Sequence, residues 1–179
     1  MSDKVLVAYA TRYGSTQEVA DAVAAALRQS GLAVDLQPMR QVRTLNGYGA
    51  FVLGAPLYIG SFLKDAQRFL AQHGPALAGR PVAVFALGPI AGSAEDPEWQ
   101  AARASLDKEI QKVPGLAPVA VELFGGKYNP QGLNLADRLL AALPASPLHN
   151  LPASDVRDWT AIRAWASDLA GKLQPALAP

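Results

Sequence analysis

Apolar residues recur along this chain in two alternating rhythms: short uninterrupted runs, and stripes at three- and four-residue spacing. Val5 to Ala10 is apolar almost throughout, the pattern of a central strand covered on both faces. From about Ser15, residues Val19, Ala20, Val23, Ala24 and Leu27 fall on one face of a helix, which Gly31 stops. Leu32 to Gln37 alternates, with Leu32, Val34 and Leu36 on one side, and predicts an edge strand. Residues 38–49 read as a loop punctuated by Pro38 and Asn46-Gly47.

The same rhythm continues. Ala50 to Gly54 predicts a third strand and 55–61 a loop at its exit. A helix follows from about Phe62 to His73, with Phe62, Ala66, Phe69 and Leu70 on its core face and Gly74-Pro75 ending it. Val82 to Leu87 is a fourth strand, and residues 88–95 form the loop after it. Trp99, Ala102, Leu106, Ile110 and Val113 then mark a helix from about Pro97 to Val113. Val119 to Phe124 is a fifth strand. The last helix runs from Val156 to about Leu173, capped by Ser154 or Asp155.

Five strands interleaved with helices predict an α/β fold: a doubly wound parallel sheet with helices on both faces. With an edge strand second, the order is 2-1-3-4-5, for which flavodoxin is a standard example. In such sheets ligands sit beyond the C-terminal ends of the strands, where the winding reverses. The loops 11–16, 55–61 and 88–95 meet there, and each contains glycine.

With 179 residues, half of them hydrophobic, the chain is long enough for one domain with a real core. A net charge of +1 offers no basic stripe for nucleic acid. Zero cysteines exclude disulfides, thiol catalysis and cysteine-ligated iron–sulfur clusters, and His73 and His149 are too far apart in sequence to suggest a metal site. Any redox chemistry must come from a cofactor. No apolar run reaches the length of a membrane span, and the start of the chain carries no signal-peptide pattern, so a cytoplasmic location is expected.

The richest chemistry lies in Thr11-Arg12-Tyr13-Gly14-Ser15-Thr16, between the first strand and its helix. Three hydroxyls, a glycine and the unpaired amides at a helix start make a phosphate site. The same residues also fit plain capping, with Ser15 as N-cap and Glu18 closing a capping box. Arg12 either adds a formal charge or points to solvent. The turn resembles the phosphate loop of flavodoxins; neither G-x-G-x-x-G nor a Walker loop is present. That resemblance implies a single phosphate, and so FMN.

Three further stretches narrow the likeness. LGAPLYIGSFLKDAQRFLAQH, Phe124-Gly125-Gly126-Lys127-Tyr128-Asn129-Pro130 and Asp158-Trp159-x-x-Ile162 are similar to the strand-and-flavin loop, the F-x-G-[KR] element and the D-W-E opening of the flavodoxin-type, quinone-dependent protoporphyrinogen oxidases. The chain departs from that family at Pro56-Leu57-Tyr58-Ile59-Gly60, where an Arg-Tyr-Gly is expected, and at Thr160, where Glu is expected. These departures bear on the substrate more than on the cofactor.

The resemblance implies an FMN oxidoreductase of haem biosynthesis that passes electrons from a reduced substrate, such as a porphyrinogen, to a quinone. The alternatives are a flavodoxin-type electron carrier, an NAD(P)H-dependent quinone reductase, or a flavin-free interaction module. The near-neutral charge disfavours the carrier. Tyr58 is the candidate to stack on the flavin, or else an ordinary surface tyrosine, with Pro56, Leu57, Ile59, Gly60, Gly88, Pro89 and Ile90 as the remaining walls and edges. No protein acid or base is assigned, since the chemistry lies at FMN N5.

Residues 125–153 form a leucine- and proline-rich insertion. Leu135, Leu139, Leu140 and Leu143 sit at helical spacing, as a lid, a quinone-docking surface or packing on the sheet edge. Lys127 and Arg138 either pair with substrate carboxylates or are solvated. The segment allows peripheral contact with the inner face of a membrane without requiring it.

Overall fold

A computed structural model of the chain describes residues 4–177. In chain order the elements are β1 (Lys4–Tyr9), α1 (Ser15–Gln29), β2 (Ala33–Pro38), β3 (Ala50–Tyr58), β4 (Ser61–Phe62), α2 (Lys64–Leu77), β5 (Val82–Leu87), α3 (Pro97–Gln111), β6 (Ala120–Phe124), β7 (Lys127–Tyr128), α4 (Leu135–Ala142), β8 (Ser154–Asp155) and α5 (Trp159–Leu177). The main sheet runs β2-β1-β3-β5-β6, all parallel, with β4 folded back antiparallel on β3. Counting only the parallel strands, this is the 2-1-3-4-5 order expected of the α/β flavodoxin-like fold.

Alternation along each buried strand feeds two cores. Val5, Val7, Tyr9, Val52 and Phe85 pack with α1 and α5 on one face. Leu6, Ala8, Phe51, Leu53 and Val84 pack with α2 and α3 on the other. Gly54, between β1 and β5, is where Phe85 crosses: a Cβ there would overlap the Phe85 ring.

Four expectations change. The loop foreseen at 55–61 is a hairpin, because the apolar run keeps pairing with β5 as far as Pro56 opposite Leu87. Its tip is Ile59–Gly60, both at positive φ (48° and 73°), so that Leu57 faces Phe62 across the turn. Phe62 therefore lies in β4 rather than in α2. Next, α2 runs through Pro75 to Leu77: the fully buried Leu77 and the Ala78 N–H bonding Gly74 O at 3.2 Å hold one more turn against the missing proline donor.

The third change is at α5, which starts at Trp159 and is capped by Asp158, whose Oδ1 accepts from the amides of Thr160 and Ala161 at 2.9 Å each. Neither Ser154 nor Asp155 caps it; both lie in β8. Finally, β7 and β8 pair antiparallel and clip together the two ends of the 125–153 insertion.

Replacing Gly54 with valine should force Phe85 off its position and cost about 1–3 kcal/mol, the usual penalty of overpacking. Thermal unfolding followed by circular dichroism should show a correspondingly lower Tm; an unchanged Tm would mean that the ring has room to move.

Candidate functional site

The residues between β1 and α1 make a tight turn at the C-terminal edge of the sheet. Gly14 takes φ 88°, a left-handed conformation in which a side chain would be strained, and its N–H donates to Thr11 Oγ1 at 2.9 Å. Gly14 is the N-cap of α1, and no side chain caps the helix. The capping box expected from Ser15 and Glu18 does not form: the Glu18 N–H bonds Gly14 O at 3.0 Å, while its carboxylate turns away to Lys127 and Arg157. The amides of residues 15–17 are left free of side-chain caps.

Beside them Thr16 is fully buried, and its Oγ1 has no hydrogen-bond partner. Such an orphan costs about 1–3 kcal/mol when desolvated, so it marks a position that a partner would satisfy. A Cβ built on Gly14 meets nothing within 4 Å, so the turn itself is open. Uncapped amides, a buried hydroxyl and a positive helix end together suit one anionic group of phosphate size.

The β3–β4 hairpin stands nearby on the same edge. Tyr58 is 42% exposed, and its hydroxyl lies within electrostatic reach of Arg12, Tyr13 and Asp137; burial of the ring raises its pKa. Ile59 is fully exposed, Pro56 is buried, and the Leu57 side chain joins the core beside α2.

The third loop is held from behind. The Gly126 N–H bonds Pro89 O at 2.7 Å and the Gly88 N–H bonds Phe124 O at 2.9 Å. A Cβ on Gly126 would lie 2.6 Å from Gly88 O, and one on Gly125 would overlap the Val156 carbonyl, so the glycine pair lets the chain thread between them. Pro89 is buried, and Gly88 and Ile90 are half-buried. Trp99 Nε1 donates to Ala91 O at 2.8 Å and fixes the rest of this loop to α3.

The insertion reaches over the phosphate-type turn. Arg12 Nη2 contacts Asp137 Oδ1 at 2.6 Å, the Tyr13 hydroxyl donates to Asp137 Oδ2, and Asn134 caps α4 by accepting from the Asp137 N–H at 2.9 Å. Arg12 is therefore neither free in solvent nor turned into the cradle; it is paired with α4. Leu135, Leu139, Leu140 and Leu143 are 53–74% exposed, and α4 buries no residue. They do not pack on the sheet edge. Both cations of the insertion lie at the exposed surface, where Lys127 Nζ stands 3.4 Å from Glu18 Oε1 and Arg138 Nη2 donates to Gln131 O at 3.1 Å.

Sequence reading missed Asp137 and Arg157. Arg157 is buried, makes a bidentate pair with Asp155 (2.7 and 2.6 Å), and also reaches Glu18 Oε2 at 2.8 Å and Ser15 O at 3.2 Å. Its guanidinium lies 4.7 Å from the centre of the Trp159 ring. The local cue was Asp155-x-Arg157-Asp158-Trp159; the partner 139 residues away left none. The Arg157 hydrogen bonds pull the Asp155 carboxyl below its usual value. At Glu18, burial pushes upward, but the hydrogen bond and charge of Arg157, with Lys127, lower the pKa overall. Among the described residues no group of three metal-ligating side chains occurs, and no helix is long and apolar enough to cross a membrane.

A family model for the flavodoxin domain matches residues 6–147. The chain is 27% identical over 94 residues to the protoporphyrinogen IX dehydrogenase [quinone] of Escherichia coli K12; the match takes in 51% of this chain and spans about half (52%) of that relative. Among solved structures, a flavodoxin from the domain Archaea aligns with TM-score 0.59 and 16% identity, over 96% of this chain and 99% of its own. The flavodiiron protein of Giardia intestinalis aligns with TM-score 0.62 and 14% identity, over 99% of this chain and 38% of its own. At these identities the structural likenesses establish the fold.

Asp137→Ala should release α4 from Arg12 and Tyr13 while leaving the sheet intact. Faster amide exchange confined to about residues 130–143 is the expected outcome; unchanged protection would show that the carboxylate does not hold the segment. Glu18 and Asp155 have folded-state pKa values below their ordinary 4.5 and 3.8. Their contribution to stability is therefore complete above those values and is lost as pH falls through the depressed ones. Melting temperature should drop below about pH 4, and less steeply in Glu18→Gln.

Proposed function

The chain belongs to the flavodoxin domain family, and on that premise we propose that it is an FMN-dependent oxidoreductase passing reducing equivalents from a reduced organic substrate to a quinone. The observation that carries the cofactor is Thr16: a buried hydroxyl without a partner, in the first turn of a helix whose leading amides no side chain caps. A phosphate brings acceptors for both the hydroxyl and the amides.

The residues present fit the phosphate end of FMN. Thr11, Ser15 and Thr16 supply hydroxyls, the amides of 15–17 supply donors, and Gly14 keeps the backbone close. Arg12 and Tyr13 stand at the rim, with Arg12 bringing positive charge once it is shared with or released from Asp137. Tyr58 offers an aromatic face, Ile59 and Gly60 the hairpin tip, and Gly88, Pro89 and Ile90 an edge held rigid by Gly126. When bound, FMN supplies one- and two-electron transfer, chemistry for which a chain without cysteine has few groups of its own.

Two features support an organic substrate and a quinone rather than a protein partner docked through acidic charge. The name of the Escherichia coli relative specifies protoporphyrinogen IX and a quinone, and the outward leucines of α4 stand beside the Arg12–Asp137 pair, an apolar surface suited to such molecules.

Titration of apo protein with FMN, followed by flavin fluorescence, should show tight binding. Thr16→Val keeps the volume and removes the hydroxyl. FMN affinity should fall by about 10–100-fold, the worth of one hydrogen bond to a charged group, while stability without FMN stays level or rises, because the orphan is gone. Failure of the native protein to bind FMN would sink the reading. With FMN loaded, anaerobic protoporphyrinogen and a soluble quinone should turn over; rapid reduction by NAD(P)H alone would replace this substrate assignment with a reductase.

A further inference from the structure

A helix N-terminus attracts any carboxylate within its reach. Glu18 is the acidic residue in the first turn of α1, where a carboxylate competes with an anionic ligand for the helix end. Here it does not, because two cations from distant parts of the chain hold it elsewhere: Arg157 at 2.8 Å on Oε2 and Lys127 at 3.4 Å on Oε1. Of the two, Arg157 is the anchored one. Its side chain is 2% exposed, fixed by the Asp155 fork and lying over the Trp159 ring. The same Nη1 that holds Glu18 also donates to Ser15 O at 3.2 Å, so a single nitrogen grips the first turn of α1 at both its backbone and its acidic side chain.

We propose that Arg157 is a positioning residue for the phosphate turn: it sequesters the Glu18 carboxylate and pins the Ser15 carbonyl, keeping the leading amides of α1 open for the phosphate of FMN. The inference rests on the FMN reading above. Arg157 contributes no net attraction of its own, since Asp155 and Glu18 both face it. It acts by removing a competitor. Losing Arg157 should therefore damage recognition of the phosphate and spare recognition of the ring, and the damage should depend on Glu18.

Affinities of FMN and riboflavin for apo protein test this, because riboflavin lacks the phosphate. Arg157→Gln should weaken FMN by about tenfold, the scale of one partly buried charge–dipole interaction, and leave riboflavin unchanged. Glu18→Gln/Arg157→Gln should recover most of the loss. Lys127→Met, at a more exposed position, should show a smaller loss of the same kind, again recovered by Glu18→Gln; this pair decides if Arg157→Gln does not fold. Equal weakening of both ligands, an unchanged FMN-to-riboflavin ratio, or a double variant no better than the single one would overturn the proposal. If the native protein binds FMN normally in those cases, the FMN reading stands; if it binds none, both fall.

Discussion

The first turn of α1 is a helix end left unsatisfied by its own protein, and the rest of the site is arranged around that debt of hydrogen bonds. A buried helix start is ordinarily capped by Ser, Thr, Asp or Asn. Here the cap position is Gly14 at φ 88°, which has no side chain to offer. Thr11, which could have capped, spends its Oγ1 on the Gly14 amide. Thr16 is sealed from water with nothing to bond. Leaving donors in this state is costly in a folded protein unless something arrives to accept from them.

The insertion holds its helix α4 by charge rather than by burial. Its ends are clipped by β7 and β8, its glycines thread between the 88–90 loop and Val156, and α4 touches the body through Asp137. Its leucines face outward. A surface helix of a globular domain normally does the reverse. The polar side of α4 meets the cationic and phenolic donors Arg12 and Tyr13 on the rim, and that match fixes its orientation.

Much of this architecture was legible in the sequence. The short uninterrupted apolar runs of β1, β3 and β5 have the pattern of central parallel strands, and the stripes of α1 and α5 leave little choice of face. The tight turn between β1 and α1 was legible from Thr11 to Thr16, with Gly14 at its bend. Several of the misses turned on a contact far away in sequence. The Ile59–Gly60 tip lacks the Asn-Gly signal of a hairpin, and only pairing with β5 extends β3 that far. The Ser15–Glu18 spacing looks like a capping box until Arg157 arrives from the far end of the chain. The leucines at helical spacing left lid, docking surface and packing all open, because nothing local reveals that Asp137 pairs with Arg12 and Tyr13.

The hairpin tip carries one more lesson. Along this rim the chain meets its left-handed turns with glycine, at Gly14, Gly60 and Gly92, but residue 59 is a β-branched isoleucine at φ 48°. Holding an L-residue there costs about 1–2 kcal/mol. Ile59 recovers nothing in return, since its side chain touches only solvent. The tip thus holds strain beside Tyr58, and the Leu57–Phe62 and Tyr58–Ser61 pairs on either side of it are what keep residue 59 out of the extended region.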